Sequence, residues 1–378
     1  MLVLGIITGL IVLVLLVVVH ELGHAIVARR NGVVVEEFGI GFPPKAWAKK
    51  LKDGVLFTVN WLPLGGFVRL KGEYDSAKGK GTYGASSFWV KTKILLAGVV
   101  MNFLVAAVLF TILALVGLPK IIPNQFVLPV DNTVDVTPLK VAAVVEGSAA
   151  DQAGFLSNDQ ITGVDSTKVQ TGDDFIAYTR AHAGEEVAVQ FIRNGDPQTA
   201  RVTLGTNTSA GIFGASLGQS ETIHATWSAP VVGVATTAQL GWETLKGVGG
   251  IIGNLASGFV GQFSGNETTR EQAHKNLESV GNSVAGPVGI LAVIFPSAEA
   301  QGFSQIVLLT AIISLSLAVM NILPIPGLDG GRWFTMAIFR LIRKPLTKER
   351  EEIIQGTGFL ILLALIVLIT IADIGKLW

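Results

Sequence analysis

The chain has 378 residues, half of them apolar and only 15% charged, against a charged fraction of about 25% in soluble domains. Its 28 Lys and Arg balance 28 Asp and Glu, so net charge by itself says nothing about partners, whereas its distribution along the chain does. No cysteine is present, which excludes disulfides, thiolate metal sites and cysteine nucleophiles.

The first predicted element is an apolar helix over 2–28. It has no basic region before it, exceeds the usual signal-peptide length and shows no small-residue cleavage site ahead of its HELGH, so it reads as a retained span. Residues 54–72, GVLFTVNWLPLGGFVRLKG, read as two alternating runs joined by a turn with proline and glycine, a β-hairpin. A second span is expected over 94–118. The following insert looks soluble and β-rich over 125–206, where VTPLKVAAVV, VAVQFIRNG and TARVTLG are strand-like. Residues 207–303 read as a linker. Within it, 229–263 is long and fairly apolar but is interrupted by Gln239, Glu243, Lys246 and Asn254, and a helix lying on the membrane surface is expected there. Spans three and four fall at 304–323 and 354–372, of the length and apolarity that crossing a bilayer requires. The division is therefore a membrane core in two parts, 1–118 and 304–378, around the insert 125–206 and the linker 207–303.

Charge orients these spans. Residues 29–93 carry twelve Lys and Arg against five Asp and Glu, and 324–353 carry six basic residues. Residues 119–303 carry nine basic against seventeen acidic. The positive-inside rule puts the first two segments in the cytoplasm and the insert outside, with both termini outside.

Inside the first span stands HELGH, residues 20–24. Positions four apart on an α-helix share a face about 6 Å apart along the axis, so His20 and His24 can reach one ion while Glu21 leans toward its water. This is the HExxH arrangement of zinc hydrolases, and ionisable residues within a membrane are costly enough to mark function. Catalytic zinc takes three protein ligands and keeps one position open. The candidate third ligand is Asp329 in MNILPIPGLDGGRW, 320–333, although Asp-Gly is also a common turn pair. Its segment follows span three at the cytoplasmic end, which puts it at the depth of HELGH. A fifth span over 229–263 would instead place it on the far side.

HELGH in span one, NILPIPGLDGG after span three and a PDZ-like insert between spans two and three resemble the site-2 protease family of intramembrane zinc metalloproteases, in its bacterial branch. EEFGIGF (36–42), LPLGGFVRLKGE (62–73), AGVVMNF (97–103) and AGPVGI (285–290) extend the resemblance over residues 1 to 372. It implies His20, His24 and Asp329 as ligands of Zn2+ and Glu21 as the activator of water. Asn321 is a candidate oxyanion donor or holder of substrate backbone, and Gly65 and Gly66 would let a substrate backbone approach the hairpin. The PDZ-like stretch VVEGSAADQAGFLSNDQITGVD, 144–165, departs from the family pattern at Ala149 and Asn158, as span two does at Val99. Gly147 and Ser148 within that stretch are candidate substrate contacts.

The expectation is a polytopic α-helical membrane protein with four transmembrane helices, a membrane-associated β-hairpin and an extracytoplasmic α+β PDZ-like domain. It would sit in the bacterial cytoplasmic membrane with its active site near the cytoplasmic side. The resemblance implies cleavage within transmembrane segments of single-pass membrane proteins, such as membrane-bound anti-sigma factors or signal-peptide remnants. The partners would be those substrates and the lipid bilayer, with no nucleic acid, and the PDZ-like domain would be a size filter or a peptide binder. A membrane metal-ion transporter and an inactive membrane scaffold are the alternatives. Neither needs a glutamate directly after the first histidine.

Overall fold

The computed structural model describes residues 2–206, 211–283 and 285–377. The chain forms two compact units, Met1–Ala114 with Ala229–Trp378, and Leu115–Ser228. The first unit contains helix α1 (Leu2–Arg30), strands β1 (Val35–Lys50) and β2 (Leu56–Leu70), and helix α2 (Phe88–Val116), which ends at the unit boundary. After the insert come α3 (Ala229–Gln262), α4 (Glu267–Ser283), an apolar helical stretch Pro287–Gln301, α5 (Phe303–Ile322), α6 (Asp329–Leu341) and α7 (Lys348–Leu377).

Among the described residues, α1, α2, α5 and α7 are the four helices long and apolar enough to cross a membrane. The 34-residue α3 is not among them, because its polar residues break the apolar run. A 29-residue helix such as α1 is about 43 Å long at 1.5 Å per residue, more than the hydrocarbon thickness of about 30 Å. Its surplus ends in Arg29 and Arg30, which mark an interface. His24 and His20 therefore lie about 8 Å and 14 Å deeper along the axis than Arg29.

The hairpin expected within 54–72 is corrected in its pairing: its two runs do reverse direction, but they flank Glu37–Ile40 and do not pair with each other. Leu56–Leu70 is a single strand whose partner is Val35–Lys50, and the chain reverses at 51–55, where the Leu51 and Gly54 amides donate to the Val55 and Leu51 carbonyls. Both strands bend. Glu37–Ile40 consequently lies opposite Gly66–Arg69 and also opposite Leu56–Val59, and Leu56–Asn60 lies opposite Lys45–Lys50 as well. The first pairing of Glu37–Ile40 is antiparallel and the second parallel, so β2 reverses direction between Asn60 and Gly66, and Gly65 in that reversal holds φ +83°, a backbone region open to glycine. The last segment, Gly66–Leu70, pairs on one side only and is an edge. Buried Glu37 fixes the sheet's interior by accepting a hydrogen bond from Thr58 (3.0 Å) and pairing with Lys45 (2.9 Å) and Arg69.

In the second unit, strands β3 (Lys140–Val144), β4 (Gln160–Val164), β5 (Glu186–Arg193), β6 (Asp196–Thr203) and β7 (Ala215–Gly218) form a sheet in the order β7–β3–β4–β5–β6, with Thr167–Lys168 beside β4. The edge strand β7 lies beyond residue 206, and Leu118–Pro119, Glu221–His224 and Thr133–Val136 make a second, smaller sheet. The sheet's core is aromatic. Phe213 sits 5.1 Å from Phe155 and 4.9 Å from Phe175, ring centre to ring centre, and burial of each such ring contributes about 1.5–3 kcal/mol. The helix Gly172–Ala181 starts on a capping box in which Thr171 and Asp174 exchange side-chain to backbone hydrogen bonds of 3.0 and 3.1 Å. Asn158, where the PDZ pattern has glycine, holds φ +75°, a conformation asparagine tolerates better than other non-glycine residues.

The unit's end is tied to its beginning by Asp131. Its carboxylate accepts the Ser228 and Thr226 amides at 3.0 and 2.9 Å and both hydroxyls. The bonds from Ser228 and Thr226 hold this carboxyl well below the usual carboxylate range. A depressed folded pKa contributes stability that is complete above the unfolded value of about 3.9 and drains away as pH falls below it. Hydrogen exchange at Thr226 and Ser228 in the full chain, corrected for intrinsic rates, should therefore accelerate as pH drops below about 4. Asp131→Asn should exchange fast at neutral pH too. Equal protection in the variant would dismiss the carboxylate as the tie.

Candidate metal centre

Helical periodicity turns His20 and His24 to one face of α1, and both are buried. Asp329 meets them from the first residue of α6. Its Oδ2 lies 3.0 Å from His20 Nε2 and 3.2 Å from His24 Nε2, and the two Nε2 atoms are 3.2 Å apart. The aspartate is not in a turn; it opens a helix that folds back on the PIPG segment. That return needs glycine next door, since a Cβ at Gly331 would come within 1.9 Å of the Ile325 carbonyl oxygen.

These three residues are the described group that could hold a metal ion. Ligands about 2.0–2.1 Å from a tetrahedral zinc stand about 3.3 Å apart, close to the separations present. The protonation pattern agrees. His24 Nδ1 lies 2.7 Å from the Ile94 carbonyl, which can only accept, so that nitrogen carries a proton and in the neutral imidazole Nε2 presents a lone pair. With both imidazoles neutral and the carboxylate ionised, at most one proton, on His20 Nε2, is left for three mutual contacts. A cation relieves the crowding of lone pairs, and the donor set fits zinc.

Helix α2 supplies what the sequence did not reveal. Ile94, Gly98 and Asn102, spaced four apart, face the histidines. Ile94 offers its carbonyl, and Asn102 places its amide 3.3 Å from His20 Nδ1. Gly98 leaves room for both rings. The available signal was Asn102 in an otherwise apolar span, where an asparagine is more often an interhelical hydrogen-bonding residue than a catalytic one.

Beside the cluster, a cavity of about 160 Å3 is lined by Glu21, His24, Asp329 and the edge segment at Phe67, Val68 and Leu70. The Val68 backbone reaches the Glu21 carboxyl. A Cβ on Gly66 would stand 3.5 Å from Glu21 Cγ, so the edge passes directly over the glutamate. Gly65 turns away toward Phe42.

Residues 8–365 match the family model described as Peptidase family M50. The chain belongs to peptidase family M50. This is the site-2 protease family of zinc metalloproteases, and a metal-ion transporter or an inactive scaffold is not favoured. A Clostridium perfringens protein named as an inferred zinc metalloprotease is 32% identical, the match covering 95% of each chain. Zinc metalloprotease RasP of Geobacillus kaustophilus is 26% identical, with 98% of both chains covered. A PDZ domain of an SdrC-like protein from Listeria monocytogenes aligns with 21% of this chain and 86% of its own, at 20% identity and a TM-score of 0.20.

In this M50 chain, Arg332 anchors the helix that carries Asp329. Its Nε donates to Glu351 on α7 at 3.0 Å, another guanidinium nitrogen donates to the Glu73 carbonyl, and the group lies 5.0 Å over the Tyr83 ring. Glu351, almost fully buried, also accepts the Asp75 amide at 2.8 Å. One turn past the aspartate, α6, α7 and the segment after β2 are thus pinned together.

The remaining sequence candidates lie elsewhere. Asn321 donates to its own helix, at the Leu317 carbonyl, 3.0 Å away. In the second unit, Gly147 donates to Asp151 at 2.8 Å, and Ser148 caps the short helix Ala149–Gln152 and donates to the Gly214 carbonyl at 2.9 Å. Neither lines that unit's groove of about 680 Å3, which runs between the helix Gly172–Ala181 and edge strand β7. The groove is larger than the cavity at Glu21 but holds no comparable group of metal-ligating residues among the described residues.

Proposed function

We propose that this metalloprotease is an intramembrane endopeptidase, cutting peptide bonds within transmembrane segments of single-pass membrane proteins such as membrane-bound anti-sigma factors or signal-peptide remnants. The observation that carries the reading is the juxtaposition, inside an apolar helix, of the His20–His24–Asp329 cluster, Glu21 and an unpaired strand edge. The charge distribution supports a site near the cytoplasmic face, with the PDZ-like unit and both termini outside.

Zinc held by His20, His24 and Asp329 would supply a Lewis acid that brings the pKa of water to about 7. Glu21 accepts the proton of the attacking water and delivers it to the leaving amine. The β2 edge holds the substrate. A helix hides its carbonyls in its own hydrogen bonds and must be extended before cleavage, and strand addition offers the freed backbone new partners. The Lys71 amide donates to the Val34 carbonyl, so amides at odd positions of this segment point into the sheet and those of Gly66, Val68 and Leu70 point outward. The outward row borders the cavity at Glu21. The groove of the second unit, between a helix and an edge strand, likewise suits an extended peptide, which supports a peptide-binding or size-filtering role for that unit.

The test uses a single-span peptide in lipid vesicles with the purified chain. Mass spectrometry should locate cuts within the span, abolished by chelation and restored by zinc. Cuts confined to the soluble flanks would overturn the intramembrane reading. Val68→Pro removes an outward amide, the one that also reaches Glu21, without breaking the pairing to β1. One such bond is worth about 0.5–1.5 kcal/mol, so cleavage should fall about two- to tenfold from that loss alone, with zinc content unchanged. Val68→Ala should be mild. Unaltered cleavage by Val68→Pro would leave the edge a packing element.

A further inference from the structure

Asn102 is completely buried in α2. Its Nδ2 faces His20 Nδ1 at 3.3 Å, while its Oδ1, also buried, has no hydrogen-bond partner among the described residues. Its backbone carbonyl is held by the Ser314 hydroxyl of α5 at 2.8 Å, so the residue is fixed between two helices. The two ends of a carboxamide have the same shape, and the balance of donors and acceptors decides which end faces the ring. With the NH2 toward His20, Nδ1 must accept, and the ring proton sits on Nε2, pointing into the cluster with His24 and Asp329. His20 then has no lone pair for a metal. Rotating the amide by half a turn reverses every consequence. Oδ1 accepts from Nδ1–H, the orphaned oxygen gains a partner, and Nε2 presents a lone pair beside that of His24.

We propose that Asn102 is a positioning residue for the metal centre, its side-chain carbonyl holding His20 in the Nδ1-protonated tautomer that makes Nε2 a ligand. The inference rests on His20 being a ligand, as argued above. It gives the two histidines parallel treatment. Helix α2 provides each with an acceptor on Nδ1, from the backbone at Ile94 for His24 and from a side chain at Asn102 for His20. Acceptors of this kind set ligand orientation and basicity, and their loss costs about 10–100-fold in metal affinity.

The experiment titrates the full chain, in detergent and stripped of metal, with zinc against a chromophoric chelator, and records thermal unfolding of the metal-free protein alongside. Two variants separate acceptor from packing. Asn102→Leu has similar volume and no acceptor, and should bind zinc about 10–100-fold more weakly while its metal-free melting temperature does not fall. Asn102→Asp keeps the acceptor and loses the NH2, and should bind zinc near the wild-type affinity. Wild-type affinity in Asn102→Leu overturns the proposal. So does weakening in Asn102→Asp equal to that in Asn102→Leu, since the NH2 or mere shape would then be what matters. Should Asn102→Leu fail to fold, the Asp variant decides by itself. A wild-type chain that takes up no zinc would instead refute the ligand assignment, an outcome distinct from failure of the Asn102 role.

Discussion

Glu21→Gln should lower cleavage about 10²- to 10⁴-fold and leave zinc content at the wild-type level. Glutamine keeps the shape of the side chain and its contact with the Val68 backbone, but an amide cannot take up the proton of the attacking water or return it to the leaving amine. Metal content should not change because Glu21 is outside the ligand group of His20, His24 and Asp329. Elemental analysis and a cleavage assay on one preparation give both readouts. Cleavage at the wild-type rate would remove Glu21 from proton transfer. Loss of zinc would show that the glutamate holds the centre together rather than acting at it. A transporter or scaffold would be indifferent to the change, so the variant also separates a protease from either.

The parts of this site that were legible in the sequence are those fixed by local geometry. HELGH places two imidazoles on one face through helix periodicity alone, without knowledge of any neighbour. Asp329 was reachable because the charge pattern assigned its segment to the same depth. The stripe Ile94–Gly98–Asn102 was not legible. Helix α2 is apolar on all sides, so its sequence does not say which face meets α1, and the role of each residue comes from that contact. The sheet shows the same limit. β2 alternates on either side of Pro63–Gly66, so the reversal between its halves was legible, but not the strand that lies between them. Its partner β1 contains Gly39, Gly41, Pro43 and Pro44, which disguise a strand that pairs with both halves of β2. The spans were read correctly in place, but α7 begins earlier than its apolar run, at Lys348, because Arg332 and the Asp75 amide satisfy Glu351 in its first turns.

Gly98→Ala tests that hidden contact most severely. Glycine within a helix costs about 0.5–1 kcal/mol relative to alanine, so propensity alone predicts a more stable protein. Sterics predict the reverse. A Cβ at position 98 would lie 2.5 Å from His20 Cε1, His20 Nε2 and His24 Nε2, inside the separation at which carbon and nitrogen atoms pack. The rings cannot simply retreat, because His24 is held at Ile94 and His20 at Asn102. Nor can α2 withdraw easily. Gly23 of α1 sits so close to it that a Cβ there would be 2.7 Å from the Ala97 carbonyl oxygen. The methyl group therefore has to displace the ligands, and displaced ligands no longer converge. Zinc affinity should fall by at least the about 10–100-fold seen when ligand orientation alone is lost, and cleavage should vanish with it, while helix content stays at the wild-type level. Val100→Ala, two residues on at an exposed position, should change neither. One zinc per chain at wild-type affinity in Gly98→Ala would mean that α1 and α2 do not approach as closely as this packing requires.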